Sequence, residues 1–173
     1  MSNLSYIIHL NIIIYVKKWI DGNQNNCKLN MVQFLKPIPS EIFLSIYNQL
    51  NDDGHFKFDN SNGSYNPVLV KLDSDVIFES ENYKKVSLSH CYEYNGELMC
   101  DPEMCFLFNP EFPEKIIPCS FKLIGTNGGN AFESISFNEA GIAFEWKRSM
   151  QASHTMIANL WLEAIKEQQK IFL

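Results

Sequence analysis

The stretch that decides the fold is Val86 to Phe108, VSLSHCYEYNGELMCDPEMCFLF. Its first half alternates. Val86, Leu88, His90, Tyr92 and Tyr94 fall on one face of an extended chain, and Ser87, Ser89, Cys91 and Glu93 on the other, which is the period of a strand. Asn95-Gly96 then supplies a two-residue corner, because both central positions of a type I′ turn need positive φ. A plain hairpin about that corner pairs Tyr94 with Glu97, Cys91 with Cys100 and His90 with Asp101. Continued without a break, this register leaves Met104, Phe106 and Phe108 on the face opposite Val86 and Leu88. One extra residue at Asp101-Pro102 reunites the two apolar sets. A β-bulge is therefore predicted there, where Pro102 also lacks a ladder donor.

Outward from the hairpin, Val68–Leu72 and Val76–Phe78 read as strands parted by Asp73-Ser74-Asp75, and His55–Phe58 as a short strand before the turn-rich run 59–66. Further strands are expected at Ile116–Ile124 and Ala131–Phe137, joined by a glycine-rich turn over 125–130. That turn is no phosphate loop, since it lacks the Gly-Lys-Ser/Thr ending. A helix is expected from Ser40 to Asp52, with Ser40 as N-cap after Pro37 and Pro39 and Asp53-Gly54 as its stop. A second helix, Ser149 to Lys170, carries Met156, Ile157, Leu160, Trp161, Ala164 and Ile165 as its apolar stripe, with Asn159 outside it. The expected fold class is α+β: a mainly antiparallel sheet with an N-terminal helix and a long amphipathic C-terminal helix packed on it.

The chain has 173 residues, 46% of them hydrophobic and 20% charged, which suits one domain able to fold without metal or disulfide staples. The net charge of −6, with Lys17-Lys18, Lys84-Lys85 and Lys147-Arg148 as isolated basic pairs, offers no phosphate-binding cluster, so nucleic acid is not an expected partner. Tyr83, Tyr92, Tyr94, Phe106, Phe108, Phe112 and Phe121 could stack on bases, but without interleaved Lys and Arg they read mostly as core. Tyr6–Val16 is apolar but too short to span a bilayer, and its positive charges follow the run instead of preceding it. A cytoplasmic location and no membrane partner are the expectation. Residues 1–30 end in an Asn-rich run and read as an extension, with 31–173 as the single domain and Met31 as the expected natural start. Five cysteines (Cys27, Cys91, Cys100, Cys105, Cys119) without a Cys-x-x-Cys argue for free thiols in a reducing compartment.

The run His90–Met104, HCYEYNGELMCDPEM, resembles an uncharacterised domain-of-unknown-function family of bacterial genomes, phages and conjugative elements, sometimes fused to antirestriction-type or helicase proteins. The family motif resembles a His followed by aromatics or Glu, then Asn-Gly-Asp-Leu-Met-x-Asp-Pro-Glu-Met, and a later Trp-bearing helix ending in Gln matches 160–168. The similarity extends over about Met31 to Phe172. Glu97 stands where the motif has Asp, and Cys100 where a basic residue is common. The resemblance implies a genomic setting and domain limits, and no activity.

Two functional readings follow. His90, Asp101 and Glu103 gather near one turn and one predicted bulge. As a His–carboxylate cluster they are the candidate catalytic and metal-ligating residues of a divalent-metal-dependent hydrolase or nuclease, with Mn²⁺ or Mg²⁺ suiting the oxygen-rich set. The structural reading has Glu97 exposed beside the turn, Asp101 capping the bulge and His90 pairing with it across the strands. Cys91 and Cys100 face each other, either as two buried reduced thiols, the favoured reading, or as a redox-sensitive disulfide. His154 is expected on the surface and Trp161 in core or interface. The favoured function is a non-catalytic accessory or protein-interaction domain without a cofactor, its binding residues Tyr92, Asn95, Gly96 and Glu97 at the hairpin tip.

Overall fold

The Asn95-Gly96 corner forms as expected, with φ of 53° and 82°. Around it, a computed structural model describes residues 31–123 and 131–173. The expected extension 1–30, Cys27 within it, and the glycine-rich turn 125–130 lie outside the described residues. In chain order the elements are α1 (Pro37–Tyr47), β1 (His55–Phe58), β2 (Val68–Phe78), β3 (Glu81–Tyr94), β4 (Glu97–Phe108), β5 (Ile116–Lys122), β6 (Ala131–Glu133), β7 (Ile135–Phe137), β8 (Ala143–Trp146) and α2 (Arg148–Gln169). Strands β1 to β6 form one antiparallel meander in sequence order, and β7 with β8 a separate two-stranded sheet. The α+β expectation stands.

Three irregularities set which way side chains point. In the β3–β4 ladder Ser89 pairs with Glu103 and Cys91 with Cys100, so Asp101 and Pro102 oppose the single residue His90. That is the predicted bulge. It aligns Leu88 with Met104 and Val86 with Phe106, all fully buried. Val68–Leu72 and Val76–Phe78 prove to be one strand: Leu72 pairs with Val86 and Ser74 with Lys85, leaving Asp73 as an extra residue. Because of it Val68 and Val70 face one core while Val76 and Phe78 face another. In β5 the extra residue is Cys119, between Pro118 and Ser120.

The larger core lies between the sheet and both helices, joining Val70, Leu88 and Phe106 to Phe43 of α1 and to Trp161, Leu162 and Ile165 of α2. The expected fold assigned both helices to the sheet and no layer to its opposite face. Val76, Phe78, Leu107 and Ile117 instead pack beneath the β7–β8 sheet through Ile135 and Trp146. The expected strand 131–137 breaks at buried Ser134, because its two halves serve different sheets.

Both helices differ in detail from expectation. Helix α1 starts at Pro37, and Ser40 is not its cap: the Ser40 N–H already bonds to the Lys36 carbonyl at 2.9 Å. Proline's fixed φ suits a first helical turn, where its missing N–H costs nothing. The helix stops at Tyr47, before Asp53-Gly54, and Gly54 (φ 74°) belongs to the turn entering β1. On α2 Asn159 is buried and Leu160 exposed, the reverse of the expected stripe. The buried face is rotated because it includes polar side chains that bind backbone: Asn159 Oδ1 accepts the Lys36 N–H at 2.9 Å.

Candidate functional site

Alternation along β3 places His90 on the helix-covered face with Leu88. The ring is buried, its centroid 5.7 Å from that of Trp161, and Nδ1 lies 3.2 Å from the Asn66 carbonyl, so Nδ1 carries the hydrogen and donates it. The same carbonyl accepts a second bond, from Gln169 Nε2 at 2.9 Å, while Gln169 Oε1 accepts the Asn60 N–H at 2.9 Å. His90 and the end of α2 thus jointly fasten the loop between β1 and β2.

Asp101 is also buried, at the bulge. Glu103 is half-buried and pairs directly with Ser89 and Lys122, which assigns it to the sheet face opposite His90. The three candidate residues therefore do not converge in one open pocket. Among the described residues, no group of three or more His, Cys, Asp or Glu side chains is arranged to hold a metal ion.

The sulfurs of Cys91 and Cys100 are bonded, with Cα atoms 4.2 Å apart. This corrects the expectation of two separate thiols. The Cys91 N–H turns away from β4 to the Pro67 carbonyl at 3.0 Å, so the pair is a non-hydrogen-bonded one, where facing side chains come closest. Cys105 and Cys119 remain thiols on the sheet face beneath β7–β8, and burial raises the pKa of both, keeping them protonated.

Beyond this bond the hairpin leaves the sheet. The last β2 partner is Val68, opposite His90, and the last β5 partner is Lys122, opposite Glu103. Among the described residues, 91–100 have no strand beside them and form a two-stranded arm. Tyr94 and Leu98 are 62% and 69% exposed, and Tyr92 and Met99, paired with each other, are half-buried. Pairing puts Tyr92, Tyr94 and Met99 on the face shared with His90, and Leu98 on the other with Glu93 and the sulfurs. The predicted tip residues Tyr92, Asn95, Gly96 and Glu97 all lie on this arm. Leu98 and Met99 were missed; the legible signal was two large apolar residues directly after a turn, where polar ones are usual.

His154 was expected at the surface and is buried beneath Phe121. Ser134 Oγ donates to the Cys119 carbonyl at 2.9 Å and accepts from His154 Nδ1 at 3.0 Å. Burial lowers the His154 pKa to about 4, so the ring is neutral. A groove of about 590 Å³ near the β2–β3 turn is lined by Tyr83, Glu81, Asp75, Lys84 and Asn109 among others. Within it Lys84 pairs with Asp75 at 2.7 Å, and the Tyr83 hydroxyl donates to Glu81 at 2.9 Å.

Residues 40–171, most of the chain and all of the arm, match the family described as Domain of unknown function (DUF6908). The chain belongs to that family. No curated protein and no solved structure matches it. The DUF6908 region begins inside α1 and ends two residues beyond α2, so most of α1 and all of α2, both sheets and the arm are within it. No helix among the described residues is long and apolar enough to cross a membrane.

Proposed function

We propose that this DUF6908 domain is a non-catalytic binding module that presents the 91–100 arm to a protein partner. The observation that carries the reading is the exposure of Tyr94 and Leu98 on a hairpin with no strand beside it among the described residues. Tyrosine and methionine are enriched at interfaces, where a stiff amphipathic ring gives contact area at little entropic cost. The partner it fits is a peptide segment combining apolar side chains with Lys or Arg, because Glu93 and Glu97 flank the apolar groups. The same two acids on each arm, on a chain of net charge −6, disfavour a second copy as occupant. The resemblance noted for the hairpin motif supports an accessory role in a mobile element or phage.

A randomised peptide library selected on the immobilised full chain tests the reading. Enriched peptides are expected to carry Lys or Arg beside apolar residues, to weaken with added salt, and to lose binding to the Tyr94→Ser/Leu98→Ser double variant. Peptides that bind the double variant equally well would remove the arm from consideration. The alternative, a divalent-metal-dependent hydrolase or nuclease built on His90, Asp101 and Glu103, requires Glu103 to reach the face on which His90 lies. Calorimetric uptake of one Mn²⁺ that is lost in Asp101→Asn would favour it over the binding module.

A further inference from the structure

We propose that Cys91 and Cys100 are a reversible dithiol–disulfide site, exchanging with small disulfides of the glutathione class, and that their bond sets how firmly the arm is ordered. The pair closes the arm at its root: Cys91 and Cys100 are opposite one another immediately before the bulge, and every residue between them lies outside the reach of β2 and β5. A two-stranded hairpin with no further strand is marginal in water, so a covalent link at its base is the chief constraint on residues 92–99.

Access to the two sulfurs is unequal. Cys100 is half-buried, whereas Cys91 is 4% exposed with its sulfur 3.4 Å from Ser89 Oγ. Oxidation therefore begins at Cys100. Its thiolate attacks one sulfur of oxidised glutathione, the disulfide breaks, and one glutathione leaves as thiolate and takes a proton. The Cys91 thiolate then attacks the Cys100 sulfur of the mixed disulfide and displaces the second glutathione. In sum the protein loses two electrons and two protons, and one oxidised glutathione becomes two reduced ones. Cys105 and Cys119 stay out of the exchange, since both are sealed beneath the second sheet.

This inference does not depend on the arm binding a partner, because its readouts are the thiols and the arm's own order. The full chain is equilibrated in glutathione buffers of graded ratio, trapped by alkylation and mapped by peptide mass, which also separates Cys27. Cys91 and Cys100 are expected to lose alkylation together while Cys105 and Cys119 do not change. The Cys91→Ser variant accumulates a glutathione adduct at Cys100, and Cys100→Ser forms at least tenfold less adduct at Cys91. Hydrogen exchange of 92–99 is at least tenfold faster in the reduced protein, with the helices unaffected. A pair that stays bonded in excess reduced glutathione, or stays reduced in excess oxidised glutathione, overturns the site. Equal exchange of the arm in the two forms overturns its control of order.

Discussion

Gln151 holds the backbone of Gln33 from both sides: its Nε2 donates to the Gln33 carbonyl at 2.7 Å and its Oε1 accepts the Gln33 N–H at 3.0 Å. A side-chain amide here takes the place of a strand partner at Gln33, while Leu35, two residues on, donates its N–H to the Ile116 carbonyl of β5 at 3.0 Å. Thr155 reinforces it, accepting from Gln151 Nε2 at 3.0 Å. With Asn159 on Lys36 and Gln169 on Asn60 and Asn66, α2 fastens two distant segments through amides on its buried face.

Because the Gln151 amide is fully buried, its removal strands polar atoms away from water. Gln151→Ala is expected to lower unfolding free energy by about 2 kcal/mol, the usual cost of leaving buried partners unsatisfied. Gln151→Glu should be at least as damaging, since a carboxylate cannot donate to the Gln33 carbonyl. Urea unfolding followed by tryptophan fluorescence measures both, and a variant with an unaltered midpoint would show that this amide is dispensable.

His154 makes stability depend on pH in a definite window. Its folded pKa is lowered to about 4, against about 6.5 for an unperturbed histidine, so between these values the unfolded chain holds the extra proton. Stability is complete above pH 6.5, falls as pH drops towards 4, and loses no more from this group below that. The full contribution is about 3 kcal/mol if the whole difference is expressed. Unfolding free energies from urea titrations between pH 7.5 and 4.5 should decline in the wild type, and the decline should be shallower by most of this amount in His154→Gln. Parallel slopes in the two proteins would remove His154 as the cause.

The hairpin and its bulge were legible because both rest on counting. Strict alternation in 86–94, an Asn-Gly corner and an apolar set out of phase in 104–108 admit one register only with an added residue. The bulge at Asp73 left no such trace, since Asp73-Ser74-Asp75 reads equally well as a turn. The buried face of α2 was misread for a different reason. Gln151, His154, Thr155 and Asn159 are polar, and hydrophobic periodicity counts polar residues as surface even when each has a partner inside. Of the candidate site, the tip was legible from the turn chemistry. The separation of Glu103 from His90 depended on faces that only the bulge assigns.

Two glycines with similar backbone should respond differently to alanine. Gly141 (φ 74°) lies where a Cβ would meet the Asp75 carbonyl oxygen at 3.0 Å, while Gly96 (φ 82°) has nothing within 4 Å of the same position. Gly141→Ala adds a backbone collision to the left-handed strain, at a point where the Gly141 carbonyl accepts the Ile77 N–H at 2.8 Å. The expected loss is about 1 kcal/mol for Gly96→Ala and about 2–3 kcal/mol for Gly141→Ala. Thermal unfolding of the two variants side by side checks the order, and a reversal would mean that the β7–β8 sheet shifts freely on β2.

Arm and core make opposite predictions for residues of similar chemistry. Trp161 is almost fully buried against the sheet and lies tilted against the His90 ring, so Trp161→Ala removes a large core side chain and should cost about 3–5 kcal/mol. Tyr94 and Leu98 contact little, and Tyr94→Ser with Leu98→Ser should alter stability by no more than about 0.5 kcal/mol. Large apolar side chains left open to water carry a solubility cost. Chemical denaturation of the double variant decides between the two roles. A loss of 2 kcal/mol or more would show that the arm folds back onto the domain and is packing, whereas an unchanged midpoint with a rise in solubility would mark it as surface held for a partner.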